Sequence, residues 1–134
     1  MGLGRVLIVD DEDEIRKVVR LTLTKAGFDV VEAEDGEKAI EKIRADDNPL
    51  MVDAILCDIQ MPKVNGIEAV AFFRQQFPSV PVIILTGHPQ VKDATALMKQ
   101  GVVDYLEKPI SPEKLTEVVG KHAKAHVYKD KFRT

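Results

Sequence analysis

The sequence predicts an α/β protein, a doubly wound five-stranded parallel sheet with five helices. Two observations lead to this prediction. Short, nearly continuous apolar runs, such as residues 5–9 and 82–85, are typical of strands that are buried on both faces of a parallel sheet. Between these runs, apolar residues recur at helical spacing. The alternation of strands and helices along the chain predicts a parallel sheet covered by helices on both faces.

The first half of the chain contains two strands and two helices. After the strand at 5–9, a helix is expected from Asp13, and Gly27 suits its C-terminal cap. A second strand is expected at 28–33, and Asp35 can cap the helix that follows. The polar segment 46–49 is predicted to be a breaker, a non-helical segment between the second helix and the third strand. The apolar face of the first helix is expected to comprise Ile15, Val18, Val19, Thr22, Leu23 and Ala26.

The second half repeats the pattern three times. A central apolar run at 54–57 ends at Asp58, and Asn65 with Glu68 forms the pattern of a capping box for a third helix. The strand at 82–85 precedes a fourth helix. A strand at 104–107 precedes the last helix, which Ser111 is expected to cap. Residues 1–134 are expected to form a single domain with a core at about 4–124, and 125–134 to form a C-terminal tail or linker.

Composition narrows the class of protein. The chain has 134 residues and a net charge of −3, which suits one compact domain and gives no indication of direct nucleic-acid binding. It has no apolar run of the length that spans a membrane, and no membrane association is expected. The single cysteine, Cys57, excludes an intrachain disulfide and a cysteine-based zinc site. A cytoplasmic location is the default expectation.

Charged and polar residues stand where the predicted strands end. Asp10 and Asp11 follow the first strand, Asp58 ends the third, Thr86 follows the fourth and Lys108 follows the fifth. The carboxyl ends of strands in an open α/β sheet form the ligand-binding edge. Carboxylates at ~4 Å repel by about 1 kcal/mol in water and by more near a protein surface. We therefore expect a hard dication, Mg²⁺, at this edge.

This set of residues is suited to phosphoryl transfer. A carboxylate can attack phosphorus and form an acyl phosphate. Asp58 ends the central strand and is predicted to be that nucleophile. Lys108, the Thr86 hydroxyl and Mg²⁺ can each stabilise the charge on the transferring group.

Four motifs together resemble the receiver domain of two-component response regulators, including chemotaxis receivers. They are Leu7-Ile8-Val9-Asp10-Asp11-Glu12, Asp58 followed by Met61-Pro62 and Gly66, Thr86-Gly87, and Tyr105-Leu106-Glu107-Lys108-Pro109. The resemblance covers about residues 4–124. It implies the flavodoxin-like strand order 2-1-3-4-5, which is the order already known for chemotaxis receivers.

The resemblance also implies the chemistry of the site. Asp58 would accept a phosphoryl group from a sensor histidine kinase or a phosphotransfer protein. Asp11 would bind Mg²⁺ directly, Asp10 would do so through water, and the backbone carbonyl of Gln60 would complete the protein ligands. The protein would catalyse only its own phosphorylation and dephosphorylation, so it is not expected to be an enzyme in the ordinary sense.

Further roles are implied for residues around the acceptor. Lys108 would pair with the phosphate, and its peptide bond to Pro109 would be cis. Thr86 and Tyr105 would form the switch that reports phosphorylation. Gln60 and His88 would tune dephosphorylation, and their bulk predicts a phosphoryl lifetime of minutes or longer.

The output of the protein stays open at this point. The resemblance allows a stand-alone regulator, a part of a longer protein, or a receiver module of a hybrid kinase or phosphorelay. The downstream output domain or target is unknown. A phosphorylation-dependent dimer through the fourth helix, fifth strand and fifth helix is possible.

Three other functions compete with this interpretation. A haloacid-dehalogenase-type phosphatase also uses an aspartate and Mg²⁺, and Asp11-Glu12-Asp13 has its Asp-x-Asp pattern, but the residues that follow do not fit and the chain is short. A flavodoxin-type electron carrier would need a different loop after the first strand. A receiver that signals without phosphorylation is disfavoured by the full set of acids.

His122 is expected to be a packed residue, and no acidic partner is evident for His126.

Overall fold

The computed structural model describes residues 3–59, 66–87 and 91–132. Its five strands are parallel and form one sheet in the order β2-β1-β3-β4-β5, which confirms the expected order. The strands are β1 (Arg5–Val9), β2 (Asp29–Ala33), β3 (Val52–Asp58), β4 (Val82–Thr86) and β5 (Asp104–Glu107).

The described residues contain six helices, one more than predicted. They are α1 (Asp13–Lys25), α2 (Gly36–Arg44), α3 (Asn48–Met51), α4 (Gly66–Gln76), α5 (Val91–Lys99) and α6 (Pro112–Phe132). The additional element is α3, a single turn in which the backbone N–H groups of Leu50 and Met51 donate to the Asp47 carbonyl. The prediction of a simple breaker at 46–49 was wrong, because a proline in the first turn of a helix forfeits no intrahelical hydrogen bond.

Side-chain caps begin two of the helices as predicted. Asp35 Oδ1 accepts the backbone N–H of Lys38 at 2.8 Å, and Ser111 Oγ accepts that of Lys114 at 3.0 Å. Gly27, with φ of +105°, follows α1 as the expected C-terminal glycine. The predicted capping residue Asn65 lies outside the described residues.

Two apolar layers lie on opposite faces of the sheet. Alternate residues of β3 belong to different layers: Ile55 packs with Phe73 of α4, and Leu56 packs with Leu23 of α1. All seven residues of β3 are buried, as expected of a central strand in a doubly wound sheet. Val18 was placed on the apolar face of α1, but it is 55% exposed. In the described part of the chain, no helix has the length and apolar character needed to cross a bilayer.

The last helix is longer than expected. Residues 125–134 were predicted to form a tail or linker, yet α6 continues to Phe132. His126 helps to hold this extension, since its Nδ1 lies 2.8 Å from Oδ1 of the buried Asp53. The backbone N–H of Arg5 donates to the other carboxylate oxygen at 3.0 Å. His126 therefore has the acidic partner that was not evident from the sequence.

Replacing His126 with Ala is expected to lower the free energy of unfolding by about 2 kcal/mol, because Asp53 would keep its burial and lose one of the two hydrogen-bond partners found for it among the described residues. Urea denaturation measures the change. His122→Ala is the matched control: His122 Nε2 lies 3.3 Å from Asp104, whose side chain is 38% exposed, so a loss below about 1 kcal/mol is expected. Equal losses in the two variants would contradict a special contribution from the buried pair.

Candidate functional site

The register of the sheet brings the predicted site residues to one edge. Val9 is paired with Cys57, so Asp10 and Asp58 are the next residues on adjacent strands. Asp58 is paired with Leu85, and Thr86 follows directly on β4. Thr86 is paired with Glu107, which precedes Lys108. The carboxyl ends of β1, β3, β4 and β5 therefore supply a common site.

Four acidic side chains converge at this edge. Asp10, Asp11, Glu12 and Asp58 each place a carboxylate oxygen within 4.8 Å of the others. Asp10 and Asp58 are buried, whereas Asp11 and Glu12 are exposed. No site role was expected for Glu12 from the sequence. The available signal was its position as the third acid in the run that follows β1.

Lys108 is the cation of the site. Its Nζ lies 2.8 Å from Asp10 Oδ2, 2.9 Å from Glu12 Oε1 and 3.1 Å from Asp58 Oδ2. The Lys108 backbone N–H donates to the Thr86 carbonyl at 2.8 Å, which fixes the residue beside the end of β4. The peptide bond between Lys108 and Pro109 is cis.

Among the described residues, the charge of the site is unbalanced, since four carboxylates are clustered and Lys108 supplies the ammonium that contacts three of them. Burial by itself would lower the pKa of Lys108, but the contacts with Asp10, Glu12 and Asp58 outweigh burial and raise it, so the ammonium is firmly protonated. Burial raises the pKa of Asp10, and the nearby Asp58 charge adds to that effect. Lys108 and the backbone N–H of Glu12 act in the opposite direction.

The donor set fits a divalent metal ion. Asp10 Oδ2 is buried, and among the described residues no donor is aligned with it for a hydrogen bond, although the Lys108 ammonium is 2.8 Å away. This oxygen therefore retains capacity to accept a bond from a metal-bound water. The clustered side-chain oxygens are ligands that suit Mg²⁺, which retains several waters. Gln60, expected to add a carbonyl, lies outside the described residues.

The two expected switch residues occupy different environments. The Thr86 side chain is buried, whereas Tyr105 is 39% exposed on the edge strand. His88, which was expected to tune dephosphorylation, lies outside the described residues. Cys57 adjoins Asp58 but packs in the core, where burial raises the pKa of its thiol and disfavours a thiolate nucleophile.

Comparison with known proteins agrees with this arrangement. The chain matches the response regulator receiver domain family over residues 6–120. It is 36% identical over 120 residues to hybrid signal transduction histidine kinase I of Dictyostelium discoideum, covering 86% of this chain and 7% of that protein. It is 34% identical over 111 residues to the alkaline phosphatase synthesis transcriptional regulatory protein PhoP of Bacillus subtilis, covering 83% of this chain and 45% of that protein.

A solved structure gives the same answer for the fold. Chemotaxis protein CheY4 of Vibrio cholerae superposes with a TM-score of 0.80 at 31% identity, covering 89% of this chain and 98% of that one. The chain spans less than half the length of the two curated relatives named above. The family match extends over most of the chain, from the second residue of β1 through β5 and into α6. The chain therefore belongs to the response regulator receiver domains of two-component signal transduction.

Proposed function

We propose that Asp58 is the phosphoacceptor of this receiver and that it takes its phosphoryl group from a sensor histidine kinase or a phosphotransfer protein. The observation that carries the proposal is the contact of a buried carboxylate with a cation inside an acidic cluster. Asp58 Oδ2 accepts a hydrogen bond from Lys108 Nζ at 3.1 Å. Asp58 ends the central strand β3, and Lys108 follows the edge strand β5 at the same edge of the sheet.

The transfer is a displacement at phosphorus. An Asp58 oxygen forms a bond to phosphorus as the bond from phosphorus to the donor's imidazole nitrogen breaks, and that nitrogen keeps the electron pair and takes up a proton. Lys108 pairs with the negative oxygens of the transferring group, and the Thr86 hydroxyl donates a hydrogen bond to them. Asp10, Asp11, Asp58 and the Gln60 carbonyl would hold Mg²⁺. The bound ion would supply charge neutralisation at the phosphoryl oxygens.

Signal output is proposed to follow from the repositioning of Thr86 and Tyr105. Thr86 would turn to the phosphoryl group, and Tyr105 would then rotate inward from its exposed position. This change would alter the surface of α5, β5 and α6, through which a phosphorylated dimer is possible. Residues 1–134 would act as one receiver domain, either for a separate target or as a module within a regulator, phosphorelay or hybrid kinase.

The competing phosphatase hypothesis finds no support at its key residue. It required Asp13 to act with Asp11 in the Asp-x-Asp pattern. Asp13 instead forms an ion pair with Arg16 and is not a member of the acidic cluster. A phosphatase would in addition turn over a phosphomonoester, which a receiver would not.

A small phosphodonor tests the proposed function. Incubation with Mg²⁺ and acetyl phosphate is expected to add one phosphoryl group, measured by intact-protein mass spectrometry, and excess EDTA is expected to prevent the addition. Neutral hydroxylamine should remove the group, since it cleaves acyl phosphates.

After donor removal, decay of the phosphorylated protein over minutes or longer is expected, and a half-life of a few seconds would contradict the proposed roles of Gln60 and His88. No mass gain, or a hydroxylamine-resistant gain, would refute the acceptor assignment.

A further inference from the structure

Glu12 is the member of the acidic cluster that reaches Lys108 from the solvent side. Its side chain is 57% exposed, whereas those of Asp10 and Asp58 are 0% and 3% exposed. Glu12 Oε1 nevertheless accepts a hydrogen bond from Lys108 Nζ at 2.9 Å, across 96 positions of sequence. The backbone N–H of the same residue donates to Asp10 Oδ1 at 2.9 Å. Glu12 is thus tied to both Asp10 and Lys108.

Three carboxylates crowd the ammonium of Lys108. A lysine ammonium carries three N–H donors. Two of them are aligned on Glu12 and Asp58, and Asp10 Oδ2 lies 2.8 Å from the same nitrogen. A phosphoryl oxygen that arrives at Asp58 must therefore compete with these carboxylates for the same ammonium.

The three carboxylates differ in the cost of moving away. Releasing the buried Asp10 would leave an ionised group without its cation, which is expensive. Asp58 must stay in place as the nucleophile while the phosphoryl group arrives. Releasing Glu12 returns a largely exposed carboxylate to water, which costs little. Glu12 is therefore the partner that exchanges most readily.

We propose that Glu12 is a positioning residue that occupies Lys108 in the resting protein and is displaced from the ammonium by the phosphoryl group. The inference rests on the proposed function of Asp58. Glu12 opposes phosphorylation in two ways: it competes for Lys108, and its charge repels an anionic donor at the mouth of the site. The same competition favours the return of the phosphorylated protein to the resting state.

The test compares Glu12→Gln with Glu14→Gln. Both variants remove one negative charge from neighbouring positions, but Glu14 is an exposed residue in the first turn of α1 and is not a member of the acidic cluster. Calorimetry first fixes the Mg²⁺ concentration that saturates each protein. Phosphorylation rates are then measured by intact mass with acetyl phosphate, a dianion, and with phosphoramidate, which carries less negative charge at neutral pH.

For Glu12→Gln we expect phosphorylation by acetyl phosphate to be about fivefold faster than in the wild type, the size expected on removing an exposed charge roughly 4 Å from a reacting anion. A smaller gain is expected with phosphoramidate, together with a longer phosphoryl lifetime. Glu14→Gln should match the wild type. A merely structural role for Glu12 would not separate the two donors.

Two results would overturn the inference. The first is a Glu12→Gln rate equal to that of Glu14→Gln with both donors. The second is slower phosphorylation of Glu12→Gln at saturating Mg²⁺ with a large loss of Mg²⁺ affinity, which would make Glu12 a metal ligand instead. Neither result would disturb the assignment of Asp58, whose failure would appear as a wild-type protein that gains no phosphoryl group at all.

Discussion

Replacing Asp58 with Asn is expected to lower the rate of phosphorylation by roughly 10³-fold or more, because an amide oxygen is a far weaker nucleophile than a carboxylate. Asn has nearly the same shape, so the variant should fold normally. It also removes one of four clustered negative charges, and its free energy of unfolding should not fall. Intact mass after incubation with Mg²⁺ and acetyl phosphate provides the rate, and urea denaturation provides the stability.

Asp47→Asn is the control for the change of an aspartate to its amide. Asp47 is exposed and pairs with Arg5, which begins β1, so it lies at the edge of the sheet opposite the acidic cluster. Its replacement should leave the phosphorylation rate unchanged. Phosphorylation of Asp58→Asn within tenfold of the wild-type rate would show that another side chain is the acceptor.

Replacing Lys108 with Met is expected to lower the free energy of unfolding by about 4 kcal/mol without Mg²⁺, because it removes the cation from the buried carboxylates of Asp10 and Asp58. Methionine has a similar length and preserves most of the packing. Excess Mg²⁺ should recover more stability in the variant than in the wild type, since the ion would restore positive charge to the cluster. Urea denaturation with and without Mg²⁺ measures both effects.

The decrease in the free energy of unfolding of the Lys108→Met variant should depend on pH. Burial raises the pKa of Asp10 above its unfolded value, so the protonated form is favoured by folding and stability is lost as the pH rises through the folded pKa. Removing Lys108 raises the pKa of Asp10 further, and ionised Asp10 then lowers the stability at neutral pH by a larger amount. The difference from the wild type should therefore shrink as the pH falls toward the acidic range where Asp10 is protonated in both proteins. Lys114→Met, at an exposed position in α6, should show no such dependence.

Local patterns predicted most of the fold. Apolar runs located β1, β3 and β4, and the expected segments 28–33 and 104–107 contain β2 and β5. Asp35 and Ser111 began helices as expected because a cap acts within three residues of itself. The turn α3 was missed because proline disfavours a helix interior but is tolerated in a first turn. Val18 was misplaced because helical spacing defines a stripe, while the neighbouring elements decide how much of that stripe is covered.

The sequence also predicted part of the candidate site, but it missed contacts between residues that are distant in the chain. Asp10, Asp58 and Lys108 were identified because each stands directly after a strand or at its end, and parallel strands end at one edge. Glu12 was missed because it stands beyond the strand end, and only its contact with Lys108, 96 positions away, brings it into the site. The contact of His126 with Asp53 was missed because 73 positions separate the two residues.

The amino-acid sequence alone determined the order of the five strands and of every described helix except α3, the residues at the strand ends and the chemistry that those residues can perform. The tertiary structure alone decided which carboxylates surround Lys108, how deeply each is buried and where α6 is held. The first set of properties depends on neighbours along the chain. The second depends on contacts between residues 50 to 98 positions apart, whose geometry and exposure to water exist only once the sheet is assembled.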